Sequence, residues 1–185
     1  MYRLENDIRN YAWGSRRVLA EFSGRPVPSA QPEAELWIGA HPGTPSRLVG
    51  ADGTRSLAEA IAADPAHHLG SALATEYDGR LPFLFKVLAA EQPLSIQAHP
   101  SHAQAKAGFL AEEQLGIPRD DPKRNYKDPF AKPEVFVAQT ESEALCGFRP
   151  SSHAAHLLSR LGVATLAPYI GSLLAGRPSD GVRVV

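Results

Sequence analysis

Leu94-Ser95-Ile96-Gln97-Ala98-His99-Pro100 alternates in character: Ser95, Gln97 and His99 fall on one face of an extended chain, and Leu94, Ile96 and Ala98 on the other. At a rise of about 3.3 Å per residue, successive polar groups lie roughly 6 to 7 Å apart along the strand. The pattern predicts a β-strand with one chemical face, able to hold a metal or a polar ligand. Just upstream, Leu81-Pro82-Phe83-Leu84-Phe85-Lys86-Val87-Leu88 opens a second apolar run ending near Ala90. Prolines bound both runs, so they read as two core strands, Leu81 to Ala90 and Pro93 to His99, rather than one helix. Further on, Asp128-Pro129-Phe130-Ala131-Lys132-Pro133-Glu134 leads into a strand expected over Glu134 to Gln139, where Glu134 opens the apolar run and shares its face with Lys132.

Outward from these runs the remaining elements are short. Residues 1 to 13 read as a strand and turn, and Arg16 to Phe22 as an amphipathic helix closed by Gly24. Ala34 to Gly39 is the next strand, with Ser46 to Val49 as its expected hairpin partner. Ser56 with Glu59, and Ser101 with Gln104, have the spacing of capping boxes, predicting helices over Leu57 to Ala63 and Ala103 to Leu115. From Ser151 the pattern is helical. The division is therefore a β-rich segment, 1–150, with helical inserts, followed by the start of a helical domain, 151–185, whose closing residues from Gly176 read as a frayed end.

Composition narrows the function classes. The 185 residues suffice for one domain, or one and the start of another; 19 basic against 20 acidic side chains give a net charge of -1. That leaves no basic field for nucleic acid or an anionic membrane, and the expected ligand is small. No stretch approaches the ~18 apolar residues of a membrane span, and the N-terminus lacks the apolar core of a signal peptide. The single cysteine, Cys146, excludes an internal disulfide, fits a reducing cytoplasm, and reads as a small buried apolar residue. The glycines match no phosphate-loop signature, and no serine has a nucleophile-elbow context.

Two groups of residues carry candidate chemistry. Gln97, His99 and Glu134 offer three protein ligands for a catalytic zinc with an open position, although glutamine is a rare zinc ligand and ordinary hydrogen bonds are the alternative reading. Lys86, a cation inside an apolar run, must snorkel, pair or line a pocket. With Ser95 and Lys132 it offers donors to a phosphate. His41 reads as a turn residue, His102 and the pair His153 and His156 as polar helix surface, and His67-His68 as solvent-facing.

Six blocks in order resemble the type I mannose-6-phosphate isomerases: Asn10-Tyr11-Ala12-Trp13-Gly14-Ser15, Ala34-Glu35-Leu36-Trp37-Ile38-Gly39-Ala40-His41-Pro42, Leu81 to Leu88, Leu94 to Pro100, Lys132-Pro133-Glu134, and Glu143-Ala144-Leu145-Cys146-Gly147-Phe148. The resemblance implies a mainly β fold with helices, a cupin-type jelly-roll barrel followed by the start of a helical insertion. It implies a cytoplasmic, zinc-dependent isomerase that interconverts mannose 6-phosphate and fructose 6-phosphate through a cis-enediol. Gln97, His99 and Glu134 match the family's zinc ligands, Lys86 and Ser95 its sugar-phosphate contacts, and Lys132 a lysine near the reacting carbons. Trp13 and Glu35 match motifs that lie near the pocket.

The family's later zinc-binding histidine and catalytic arginine have no counterpart in this chain, and Ala131 stands where many relatives have histidine. Absent barrel strands leave edges unpaired, so the 1–185 chain is expected to be weakly stable or prone to association. Two other readings are compatible: a cupin module that binds zinc or a sugar phosphate without turnover, and an inert fragment. The residues leave the oligomeric state open.

Overall fold

The computed structural model describes residues 2–50, 53–145 and 147–175. Its strands are β1 (Arg3–Glu5), β2 (Ile8–Arg9), β3 (Glu35–Gly39), β4 (Arg47–Gly50), β5 (Gly53–Ser56) and β6 (Leu84–Leu88). The helices are α1 (Val18–Phe22), α2 (Leu57–Ala63), α3 (Pro65–Leu69), α4 (Ser71–Glu76), α5 (His102–Gln114), α6 (Ser151–Arg160) and α7 (Ala167–Ala175). The chain divides into two compact units, residues 1–100 and 101–185.

The first unit holds all six strands in two antiparallel sheets of order β1-β4-β5 and β2-β3-β6. Both sheets are open, and no closed barrel occurs among the described residues. Ser46 explains why β4 leaves the sheet of β3 instead of forming its expected hairpin partner. Its N–H donates to the Gly39 carbonyl (2.8 Å), its hydroxyl accepts from the Gly39 N–H (2.9 Å), and the same hydroxyl donates to Asn6 (2.7 Å). These bonds close the 40–45 turn, and the chain then crosses into the other sheet.

The apolar core is small-residue rich: Leu19, Ala20 and Ala34 are fully buried, and Leu48, Ala60, Ile61 and Ala89 nearly so. Polar groups complete it. Glu33 is held by two Arg25 hydrogen bonds of 2.7 and 2.6 Å, and the buried Ser15 donates to Glu91 (2.8 Å). Gly14 has a steric reason. A Cβ there would lie 2.6 Å from the Ala34 nitrogen, so only glycine lets the turn carrying Trp13 rest on the start of β3.

Two expected strands form no ladder. Residues 94–100 and 134–138 have no regular secondary structure, and Ile96 and Val135 are about 90% exposed, at 90% and 92%. A strand exists through a partner's N–H and C=O groups, and neither segment has one among the described residues. Helices fare better, because their hydrogen bonds are local. α2 starts where Ser56 Oγ accepts the Glu59 N–H, and α5 carries a complete Ser101–Gln104 capping box. Directly after α2 the chain starts α3, with Asp64 as its cap and Pro65 in its first turn, and then α4.

In the second unit a buried ion cluster pins the loop after α5. Arg124, 4% exposed, donates to the carbonyls of Tyr126 (2.9 Å) and Ile117 and to Glu113 (2.6 Å). Glu112 accepts from the backbone N–H groups of Asn125 (3.1 Å) and Tyr126 (2.7 Å). Helix α6 begins at Ser151, where helical character was expected, and exposes His153 and His156. The expectations for Cys146 and for the segment from Gly176 lie outside the described residues.

Candidate functional site

A cleft of about 290 Å³ in the first unit is lined by Tyr11, Trp13, Glu35, Trp37, Lys86, Leu94, Ser95 and Gln97. Three features of the chain build it. Strand β3 presents Glu35 and Trp37 at i, i+2 on one face, and β6 sets Lys86 directly opposite Trp37. The turn after β2 brings Tyr11 and Trp13, whose rings stack at 5.7 Å and 26°. Residues 94–97 contribute Ser95 and Gln97, while the Ile96 between them lies outside the lining. The alternation read from the sequence is kept only in part: Ser95 and Gln97 line the cleft and Ile96 does not, but Leu94, expected on the opposite face, lines it too, and His99 does not.

Glu35 organises the cationic end. Its carboxylate is buried, accepts the Trp37 indole N–H at 2.7 Å, and lies 3.6 Å from Lys86 Nζ. The same ammonium sits 4.9 Å from the Trp37 ring centroid. Lys86 thus pairs and lines a pocket at once, resolving the choice its sequence context posed. The arrangement is a point charge held between a carboxylate and an aromatic face, beside a serine hydroxyl and a glutamine amide, and it suits an anionic, hydroxyl-bearing ligand.

The remaining predicted site residues are not among the lining of the cleft. His99 is exposed in the same extended segment and is not part of the cleft lining. Lys132 and Glu134 belong to the second unit, both exposed; Lys132 pairs with Asp128 at 3.5 Å, and Asp128 also accepts the Phe130 N–H (3.0 Å). No group of three or more His, Cys, Asp or Glu residues able to hold a metal occurs among the described residues. By donor chemistry Gln97, His99 and Glu134 fit zinc, supplying an amide oxygen, an imidazole nitrogen and a carboxylate oxygen. His41 has the turn role expected of it, its Nδ1 accepting from the Gly43 N–H (3.1 Å), and its ring meets Trp37 edge-on at 4.8 Å.

Sequence reasoning assigned no role to Tyr11 or Trp37. The signal for Trp37 was present, since it stands two residues from Glu35 in an expected strand where i and i+2 share a face; Tyr11 reaches the cleft through the turn after β2, which periodicity does not show.

The description "Phosphomannose isomerase type I, catalytic domain" matches residues 1–151. Mannose-6-phosphate isomerase of Escherichia coli (strain K12) is 49% identical over 159 residues, covering 85% of this chain and 40% of that protein. The Candida albicans protein of the same name is 35% identical over 196 residues, covering 100% of this chain and 41% of that one. Among solved structures, a zinc-bound mannose 6-phosphate isomerase superposes with a TM-score of 0.65 at 50% identity, over 70% of this chain and 33% of that one. The Salmonella typhimurium enzyme bound to fructose 6-phosphate and zinc gives 0.64 at 50% identity, over 71% and 33%. The chain spans about 40% of the length of these curated relatives. With a family match over most of its residues and a cleft built from that family's sequence blocks, this chain belongs to the type I phosphomannose isomerases.

Proposed function

We propose that this chain supplies the sugar-phosphate cleft and the metal ligands of a zinc-dependent isomerase that interconverts mannose 6-phosphate and fructose 6-phosphate. The observation that carries the reading is the convergence of Lys86, Ser95, Gln97, Glu35 and Trp13 on one cleft. Relatives named as this isomerase, and a neighbour bound to fructose 6-phosphate and zinc, support it. Residues 1–150 act as the catalytic domain, with 151–185 beginning a helical one. The single cysteine and near-neutral charge support a cytoplasmic setting, and no helix among the described residues is long and apolar enough to cross a membrane.

In this reading Lys86 and the Ser95 hydroxyl take the phosphate, and Glu35 keeps the ammonium aimed into the cleft. The Tyr11, Trp13 and Trp37 rings offer apolar faces to the sugar's C–H edges and exclude water. Gln97, His99 and Glu134 would hold the zinc, which when bound would supply Lewis-acid polarisation of a sugar oxygen. Lys132 takes the proton from C2, beside the aldehyde, leaving a cis-enediolate with its charge on O1; the O2 hydroxyl proton passes to O1 through the cis-enediol stage, and Lys132 returns the carbon-bound proton to C1 to give the ketose.

A second reading, sugar-phosphate or zinc binding without turnover, is favoured by one observation: the cleft's lining includes Lys86, Ser95 and Gln97 but not Lys132. Purified chain supplied with zinc and mannose 6-phosphate, beside a Gln97→Ala/His99→Ala control, separates the two. Fructose 6-phosphate formed by the chain and not by the control supports the isomerase; binding without product supports the second reading.

A further inference from the structure

A second cleft in the first unit, about 540 Å³, has no part in the chemistry above, and its lining includes Arg9, Arg47, Arg55, Thr44, Thr54 and Ser56. We propose that this cleft binds a small phosphate-class oxyanion and that Arg9 transmits its occupancy to the aromatic wall of the sugar-phosphate cleft.

The charges are unequally committed. Arg47 is spent on carboxylates, with two hydrogen bonds of 2.9 Å to Asp7 and a longer ion pair of 3.9 Å to Glu5, so it masks much of the Asp7 charge but has little left to offer an anion. The exposed Arg55 guanidinium has no partner among the described residues, leaving its whole donor fork open. Arg9 is held only by neutral groups: the Thr44 hydroxyl at 3.0 Å and the Tyr11 hydroxyl at 3.3 Å. Charge-assisted hydrogen bonds to an oxyanion are roughly twice as strong as such neutral ones, so a bound phosphate competes successfully for Arg9. Glu59 is the lining's one acid without an arginine partner, and it opposes the binding of multiply charged anions.

Arg9 belongs to both clefts. It lines the second, yet its guanidinium carbon lies 5.6 Å from the Tyr11 ring centroid and 5.2 Å from that of Trp37, both walls of the first. Lys86 rests on the same Trp37 ring at 4.9 Å. Drawing Arg9 toward an anion therefore removes a cation from the ring that also holds Lys86, and the two clefts are coupled through one aromatic side chain.

The test uses inorganic phosphate with the full chain carrying Trp13→Phe, which leaves Trp37 as the sole fluorophore of the two tryptophans. Calorimetry and Trp37 emission are followed together, with circular dichroism confirming that each variant is folded. We expect saturable binding with a change in emission, weakened about tenfold or more by Arg55→Gln, partly restored by Arg55→Lys, and tightened by Glu59→Gln. With Arg9→Gln the emission response is lost. Absence of binding overturns the proposal. So does binding that survives Arg55→Gln but is lost with Lys86→Gln, which places the phosphate in the first cleft; binding that leaves Trp37 emission unchanged overturns the coupling. Turnover is not read in any arm, so failure here is separate from failure of the isomerase reading.

Discussion

Glu35 is the residue on which the proposed sugar-phosphate cleft turns, since one buried carboxylate serves both the Trp37 N–H and the Lys86 ammonium. Glu35→Leu leaves the indole N–H without its acceptor and is expected to cost about 1–3 kcal/mol of stability, read by denaturant melts. Glu35→Gln keeps an acceptor oxygen but removes the charge, so stability holds better while fructose 6-phosphate binding weakens. Acid should act through other carboxyls. Hydrogen bonds from Arg47 outweigh burial to hold Asp7 below its ordinary value, and those from Arg119 and Arg124 do the same for Glu113. Burial pushes Glu112 up, but the N–H groups of Tyr126 and Asn125 and the Arg124 charge together carry it below. Groups lowered in the folded state contribute stability above their unfolded values and lose it as pH falls through the folded ones. Thermal melts should therefore be level from neutral pH to about 5 and fall below about 4; melts unchanged at pH 3 contradict these pairings.

At the scale of elements, legibility followed the range of the interactions. The α2 and α5 starts were readable because Ser56 and Ser101 cap helices through bonds three residues away. The partner of β4 was not, because it depends on Ser46 reaching Asn6 across 40 residues. The strands expected over Pro93–His99 and Glu134–Gln139 show the same limit: alternation placed Ser95 and Gln97 correctly but not Leu94 or His99, and a ladder needs a partner that periodicity does not contain. Lys86 in the cleft was legible as an anomaly in an apolar run, whereas the Arg9–Trp37 contact was not, being set by sheet register. Gly108 in α5 provides a test of local against tertiary preference. Helix propensity favours Gly108→Ala by about 1 kcal/mol. The new methyl group, however, would overlap the Tyr126 ring, whose backbone is pinned by Glu112 and Arg124. Overpacking costs typically about 1–3 kcal/mol, so the substitution should lower the melting temperature.

Across the whole chain, large apolar side chains lie at the surface: Phe83, Phe85, Ile96, Val135, Phe136 and Val137 are all more than half exposed. Exposed apolar side chains of this kind favour association. Sedimentation should show mass rising with concentration; a concentration-independent monomer with a cooperative melt contradicts this. The central claim is that the Lys86, Ser95 and Gln97 cleft receives the sugar phosphate. Its most direct test is phosphorus NMR of fructose 6-phosphate titrated with the chain. The predicted result is a saturable shift weakened at least about tenfold by Lys86→Gln and retained in Arg55→Gln; a shift indifferent to Lys86→Gln would contradict the assignment.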